Sequence, residues 1–172
     1  MKVSLSCLAL AVSVGFLEAA QAATTGTLRF EGLIIPGTCS LTAGDDNRTI
    51  KLDPVRVADI NADTVGNKEF ELTADCDSGV SNVIFQFTGT PAIDPWRFAN
   101  TGTAKGVALW LYSRIGGSVV TITADSSNNQ RTIPAVSQKA VLPLGAAYFK
   151  VSSDPVTVGT LVSTVTVNIT YN

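Results

Sequence analysis

The chain of 172 residues contains no histidine, which removes the usual general base, the usual zinc ligand and every serine–histidine–aspartate arrangement, so an enzyme is not expected. Its 12 basic and 14 acidic side chains leave a formal charge of −2 with no block of one sign, and so no footprint for nucleic acid or an anionic surface. With 45% hydrophobic residues there is apolar material for one domain with a sizeable core.

Residues 1–22 read as a signal peptide: Lys2, an apolar stretch from Leu8 to Leu17, and Ala20-Gln21-Ala22 as a cleavage site. The stretch is too short to span a bilayer, and the mature chain is expected to begin at Ala23. Cys7 leaves with the signal. Cys39 and Cys76 remain in an exported, oxidised chain, so a disulfide is expected rather than a metal pair or a catalytic thiol. On a chain-entropy account the loop it closes contributes roughly 4 kcal/mol.

Directly behind the signal, Leu28, Phe30 and Ile34 alternate with Thr27, Arg29, Glu31 and Leu33. In an extended segment Gly26, Leu28, Phe30, Gly32 and Ile34 point the same way. The segment 23–37 precedes the first cysteine of the mature chain, and its apolar pattern need not belong to its own core. Ser40 to Leu52 then reads as a first strand broken by a Gly44-Asp45-Asp46-Asn47 turn, and Val57 to Asp63 as the one place for a helical turn. Glu69 to Cys76 alternates cleanly, and Val83, Phe85 and Phe87 repeat the pattern beyond Asp77-Ser78-Gly79.

Pro91 and Pro95 mark a loop, since a central strand does not tolerate them. Gly106 to Ile115 is the next strand, and Gly116-Gly117 turns it tightly into Val119 to Thr123. After a turn at Asn128-Asn129 come two short strands, Val141 to Leu144 and Ala147 to Val151, and then Asp154-Pro155. The last run, Gly159 to Asn172, carries Leu161, Val165, Val167, Ile169 and Tyr171 in one phase and Thr160, Thr164, Thr166, Asn168 and Thr170 in the other. Strands with turn chemistry between them predict an all-β sandwich, because each one-sided sheet must cover its apolar face with another. Asp45, Asp46, Asp75 and Asp77 read as turn residues rather than metal ligands, and Trp96 and Trp110 as packing; no metal site and no cofactor is expected.

Gly159 stands fourteenth from the end, Tyr171 is penultimate, and an alternating apolar run lies between them. With Gly26-Thr27-Leu28-Arg29-Phe30-Glu31-Gly32 near the other end and the pair Cys39 and Cys76, the chain resembles the chaperone–usher pilins, structural subunits of bacterial fimbriae. The resemblance implies an incomplete immunoglobulin-like β-sandwich lacking its final strand. Gly159, Leu161, Val165, Val167, Ile169 and Tyr171 would form the strand that borders the gap and binds a periplasmic chaperone. Gly26, Leu28, Phe30, Gly32 and Ile34 would be the donor strand that completes a neighbouring pilin at an outer-membrane usher. The chain then divides into a signal peptide (1–22), a donor extension (23–37) and a pilin domain (38–172), exported through the periplasm to a surface fimbrium that supports adhesion. A minor tip, adaptor or terminating pilin and a secreted ligand-binding sandwich are the alternatives.

Overall fold

A computed structural model describes residues 26–60, 64–151 and 155–172. The expected signal peptide and its cleavage site lie outside the described residues, as do Asp154 and the end of the turn expected at 57–63. The chain divides into two units, one ending at Ile34 and the other running from Ile35 to Asn172. In the first, residues 26–34 form no strand, and Leu28, Phe30 and Ile34 are 83%, 88% and 97% exposed.

Among its described residues the second unit is all-β apart from a 3-10 turn at Val57–Asp59. Its strands are β1 (Cys39–Leu41), β2 (Val65–Cys76), β3 (Asn82–Gly89), β4 (Val107–Ile115), β5 (Ser118–Ile122), β6 (Gln130–Pro134), β7 (Lys139–Lys150) and β8 (Val165–Tyr171). They form a five-stranded sheet in the order β1-β2-β7-β4-β5 and a three-stranded sheet in the order β6-β3-β8, with every pairing antiparallel. Period-two alternation places Leu72, Ala74, Leu109, Leu111, Leu142 and Leu144 of the larger sheet against Val83, Phe85, Phe87 and Ile133 of the smaller one. Gly116 and Gly117 both take positive φ, which the two-residue turn from β4 to β5 requires.

Three elements differ from the sequence expectation. The first strand pairs over only three residues, because beyond Leu41 side chains replace the ladder: Asp45 accepts the Thr73 N–H at 2.9 Å, and the Arg48 guanidinium donates to the Glu71 carbonyl at 2.9 Å. The two short strands expected around Gly145 are one, β7. Its Pro143 lies opposite Glu71 of β2, while pairing with β4 stops at Leu144, so the ring sits where no ladder donor is needed on that side. Strand β6 carries no alternating apolar signal, because its inward position before Ile133 is filled by Arg131. The buried guanidinium donates to Ser113 Oγ at 2.7 Å, the Thr121 carbonyl at 2.8 Å and Asn128 Oδ1 at 3.0 Å, so polar acceptors replace the lost apolar contacts.

Candidate functional site

The two sheets are unequal, and the difference falls beside β8. Among the described residues that strand pairs with β3 on one edge and with no strand on the other. Antiparallel pairing alternates which edge each residue's N–H and C=O face. At one end Asn172 and Asn82 exchange both backbone bonds, at 3.1 and 3.2 Å. At the other, Val162 and Thr160 bond the loop 100–104, whose Thr101 and Ala104 N–H groups donate to their carbonyls at 2.8 and 3.1 Å. The even-numbered residues thus face the covered edge. Leu161, Ser163, Val165, Val167, Ile169 and Tyr171 turn their backbone groups to the open edge, a row of donors and acceptors that templates another strand.

The side chains of this odd-numbered set point inward. Leu161, Val165, Val167 and Ile169 are half-buried and pack on the core, whereas the even-numbered residues from Thr160 to Thr170 are exposed. Between residues 161–167 and residues 45–52 lies a groove of about 860 Å³. Half-buried Phe70 and the buried Leu72, Phe87, Leu109, Leu111 and Leu144 line it, so the groove is floored by core residues of both sheets. Tyr148 also lines it; burial pushes its phenol pKa up, and the Asp53 charge adds to this.

The structure brings Leu161, Val165 and Val167 to the groove. Ile169 packs on the core beyond the groove lining, and Tyr171 is 40% exposed at the strand end, opposite Val83. Gly159 does not line it. An added Cβ there would overlap the Ala104 nitrogen and stand 2.7 Å from the Thr103 carbonyl carbon, so this glycine permits a close backbone approach. Gly102 meets Thr160 in the same way. Cys39 and Cys76 are directly opposite in the ladder and joined as a disulfide, with Cα atoms 4.1 Å apart.

The clasp at 100–104 had no sequence signal. Asn100 Oδ1 accepts the N–H groups of Gly102 at 2.7 Å and Val162 at 2.8 Å, and its Nδ2 donates to the Ala104 carbonyl at 2.9 Å. Thr160 N–H donates to Thr103 Oγ1 at 2.9 Å. The clasp holds residues 160–162 in extended form ahead of β8 and so lengthens the open edge. Beside the cystine, the Thr38 hydroxyl and N–H both donate to Asp77 and hold its carboxyl below the ordinary carboxylate range. Among the described residues no cluster of acidic or cysteine side chains suits a metal ion.

Known proteins share this architecture. The chain is 28% identical over 158 residues to the type-1 fimbrial protein A chain of Escherichia coli, a match covering 86% of this chain and 84% of that one. The P pilus rod subunit PapA superposes with a TM-score of 0.63 at 21% identity, over 78% of this chain and 99% of that one. A subunit from the structure of a chaperone–usher pilus gives 0.60 at 16% identity, over 88% of this chain and 98% of that one. A fimbrial protein family model matches residues 28–172, and the chain belongs to that family.

Proposed function

We propose that this fimbrial subunit polymerises by strand addition, each copy's groove beside β8 being filled by the extension of another subunit. The domain boundaries follow: 1–22 removed on export, 23–37 as donor segment, 38–172 as acceptor domain. A periplasmic chaperone would occupy the groove first, and an outer-membrane usher would be the place of exchange, delivering the fibre to the cell surface for adhesion.

One observation carries this reading: an unpaired strand edge runs alongside a groove floored by core residues. A groove floored by Phe70, Leu72, Leu109 and Leu144 favours an apolar occupant, and an unpaired edge invites a strand. Leu28, Phe30 and Ile34 are spaced for one face of such a strand and are exposed in their own chain. Burying them contributes roughly 1.5–3 kcal/mol each before ordering costs. The pairing also fixes register, because a one-residue slip turns every one of them outward.

Removing residues 26–36 tests the proposal. The truncated chain, co-expressed with its chaperone and usher, is expected to be recovered as a folded chaperone complex that adds no further subunits. Fibres of normal length from the truncated chain would refute the assignment.

A further inference from the structure

We infer that Arg131 bars the flank of the sandwich opposite the groove, so that a subunit takes up a single added strand, beside β8, and none at β5 or β6. The inference rests on the strand-addition reading above and adds the residue that limits it to one edge.

The edge strands of the two sheets are β1 and β5 in the larger, β6 and β8 in the smaller. On the groove side β1 pairs over three residues only, which leaves β8 as the long template. The far flank carries β5 and β6, and it too has the makings of one, since Val119 and Val120 of β5 are 51% and 41% exposed. The two-residue turn makes Ile115 and Ser118 a hydrogen-bonded closing pair, so alternation turns the backbone groups of Val119 and Thr121 away from β4. On β6 the N–H of Ala135 donates to the Ser81 carbonyl, and the Asn129 carbonyl accepts from Phe87. Odd-numbered residues there face β3, and Gln130, Thr132 and Pro134 turn outward.

One guanidinium closes both outward rows. Arg131 points inward from the edge strand and is buried. Its Nη1 donates to the Gln130 carbonyl of β6 and its Nη2 to the Thr121 carbonyl of β5, while Ser113 Oγ holds Nε. Asn128 completes the bar: its Nδ2 donates to the same Thr121 carbonyl at 3.1 Å, and its carbonyl accepts the Thr123 N–H at 3.2 Å. At the far end of β6, Pro134 has no N–H to offer.

Every acceptor around Arg131 is a neutral oxygen, so a full charge sits buried on hydroxyl, amide and carbonyl partners. A buried charge is costly, and an apolar side chain of similar volume is often neutral or better for stability. Alternation calls for an apolar residue here, opposite Phe85 and two residues before Ile133. What the arginine supplies instead is exclusion, because an inward-pointing charge on an edge strand resists added strands. A strand that took the Gln130 or Thr121 carbonyl would strip the guanidinium of partners inside the protein. On β8 the corresponding inward positions are the apolar Val165, Val167 and Ile169.

The test uses the full chain purified with its chaperone and an excess of a peptide of residues 24–36, with bound peptides counted by native mass spectrometry. The unaltered subunit is expected to exchange its chaperone for one peptide. Arg131→Met should carry two, and Arg131→Lys, which keeps an inward charge, should carry one. Two peptides on the unaltered subunit, or one on Arg131→Met with only a lower thermal midpoint, would overturn the inference. If Arg131→Met is not recovered with its chaperone, adding Ser113→Ala removes the hydroxyl it strands, and that pair should carry two. Recovery of neither would make the arginine a requirement of folding and overturn its role as a bar. If the unaltered subunit takes no peptide, the strand-addition reading itself fails; if it takes one and Arg131→Met also takes one, only the bar fails.

Discussion

Asn100 contributes more to the candidate site than its place in a loop suggests. Its amide satisfies two N–H groups and one carbonyl with short bonds, and one of those N–H groups, on Val162, belongs to the segment that leads into β8. Asn100→Ala strands these partners, so a loss of about 1–3 kcal/mol is expected, seen as a lower thermal midpoint of the full chain. Fibre yield should fall with it, since residues 160–162 are the start of the open edge. Asp77 is a second residue whose effect has a readable sign. Hydrogen bonds from the Thr38 hydroxyl and N–H depress its folded pKa below the ordinary 3.8. The stability it contributes is therefore complete above the unfolded value and is lost as pH falls through the depressed one. Thermal midpoints measured from neutral pH down to strong acid should show this loss only below about pH 4, and Asp77→Asn should flatten that part of the profile.

Single strands were legible from the sequence wherever a local signal marked them. Strand β2 shows clean alternation, and the pair β4 and β5 shows apolar runs joined by the Gly116-Gly117 turn. Strand β6 was not, since Arg131 occupies a buried place and its acceptors, on the β4–β5 hairpin and the turn before β6, are distant or invisible in a local window. Strand β7 was cut in two at Gly145, where a glycine in a strand normally signals a bulge. In the fold that glycine instead makes room for a ring from β4: an added Cβ would overlap the Tyr112 side chain, itself buried and 4.4 Å from the Trp110 ring centroid. Gly145→Ala is thus expected to push Tyr112 off β7 and destabilise the sheet by about 1–3 kcal/mol or more. Near-ultraviolet circular dichroism, sensitive to the Trp110–Tyr112 geometry, should change along with the midpoint; an unchanged spectrum and midpoint would contradict the packing described.

At the scale of the molecule, the groove lies where a further strand would complete the smaller sheet. The sequence revealed its rim, because the odd-numbered residues of the last run are apolar. It could not reveal the floor, since Phe70, Leu72, Leu109 and Leu144 look in sequence like any other inward residues; only the order β6-β3-β8, with β8 at an edge, sets a groove above them. If the missing strand runs antiparallel to β8, it can be supplied from the same chain. Deleting residues 1–36, supplying an unrelated signal peptide in their place, and appending one glycine and then a copy of 24–36 after Asn172 would make Asn172-Gly the two-residue turn of a hairpin with β8. In that arrangement Gly26 enters near Ile169 and Ile34 reaches Leu161, so Leu28, Phe30 and Ile34 fall where a second copy would place them. The expected product is a monomer by size exclusion, with no ladder. Its thermal midpoint should exceed that of the chain truncated at the same residue and lacking the appended strand, because burial of the three side chains contributes about 5–9 kcal/mol before ordering costs. A parallel direction forbids this short connection, so an appended chain no more stable than the truncated one would argue that the strand enters the other way.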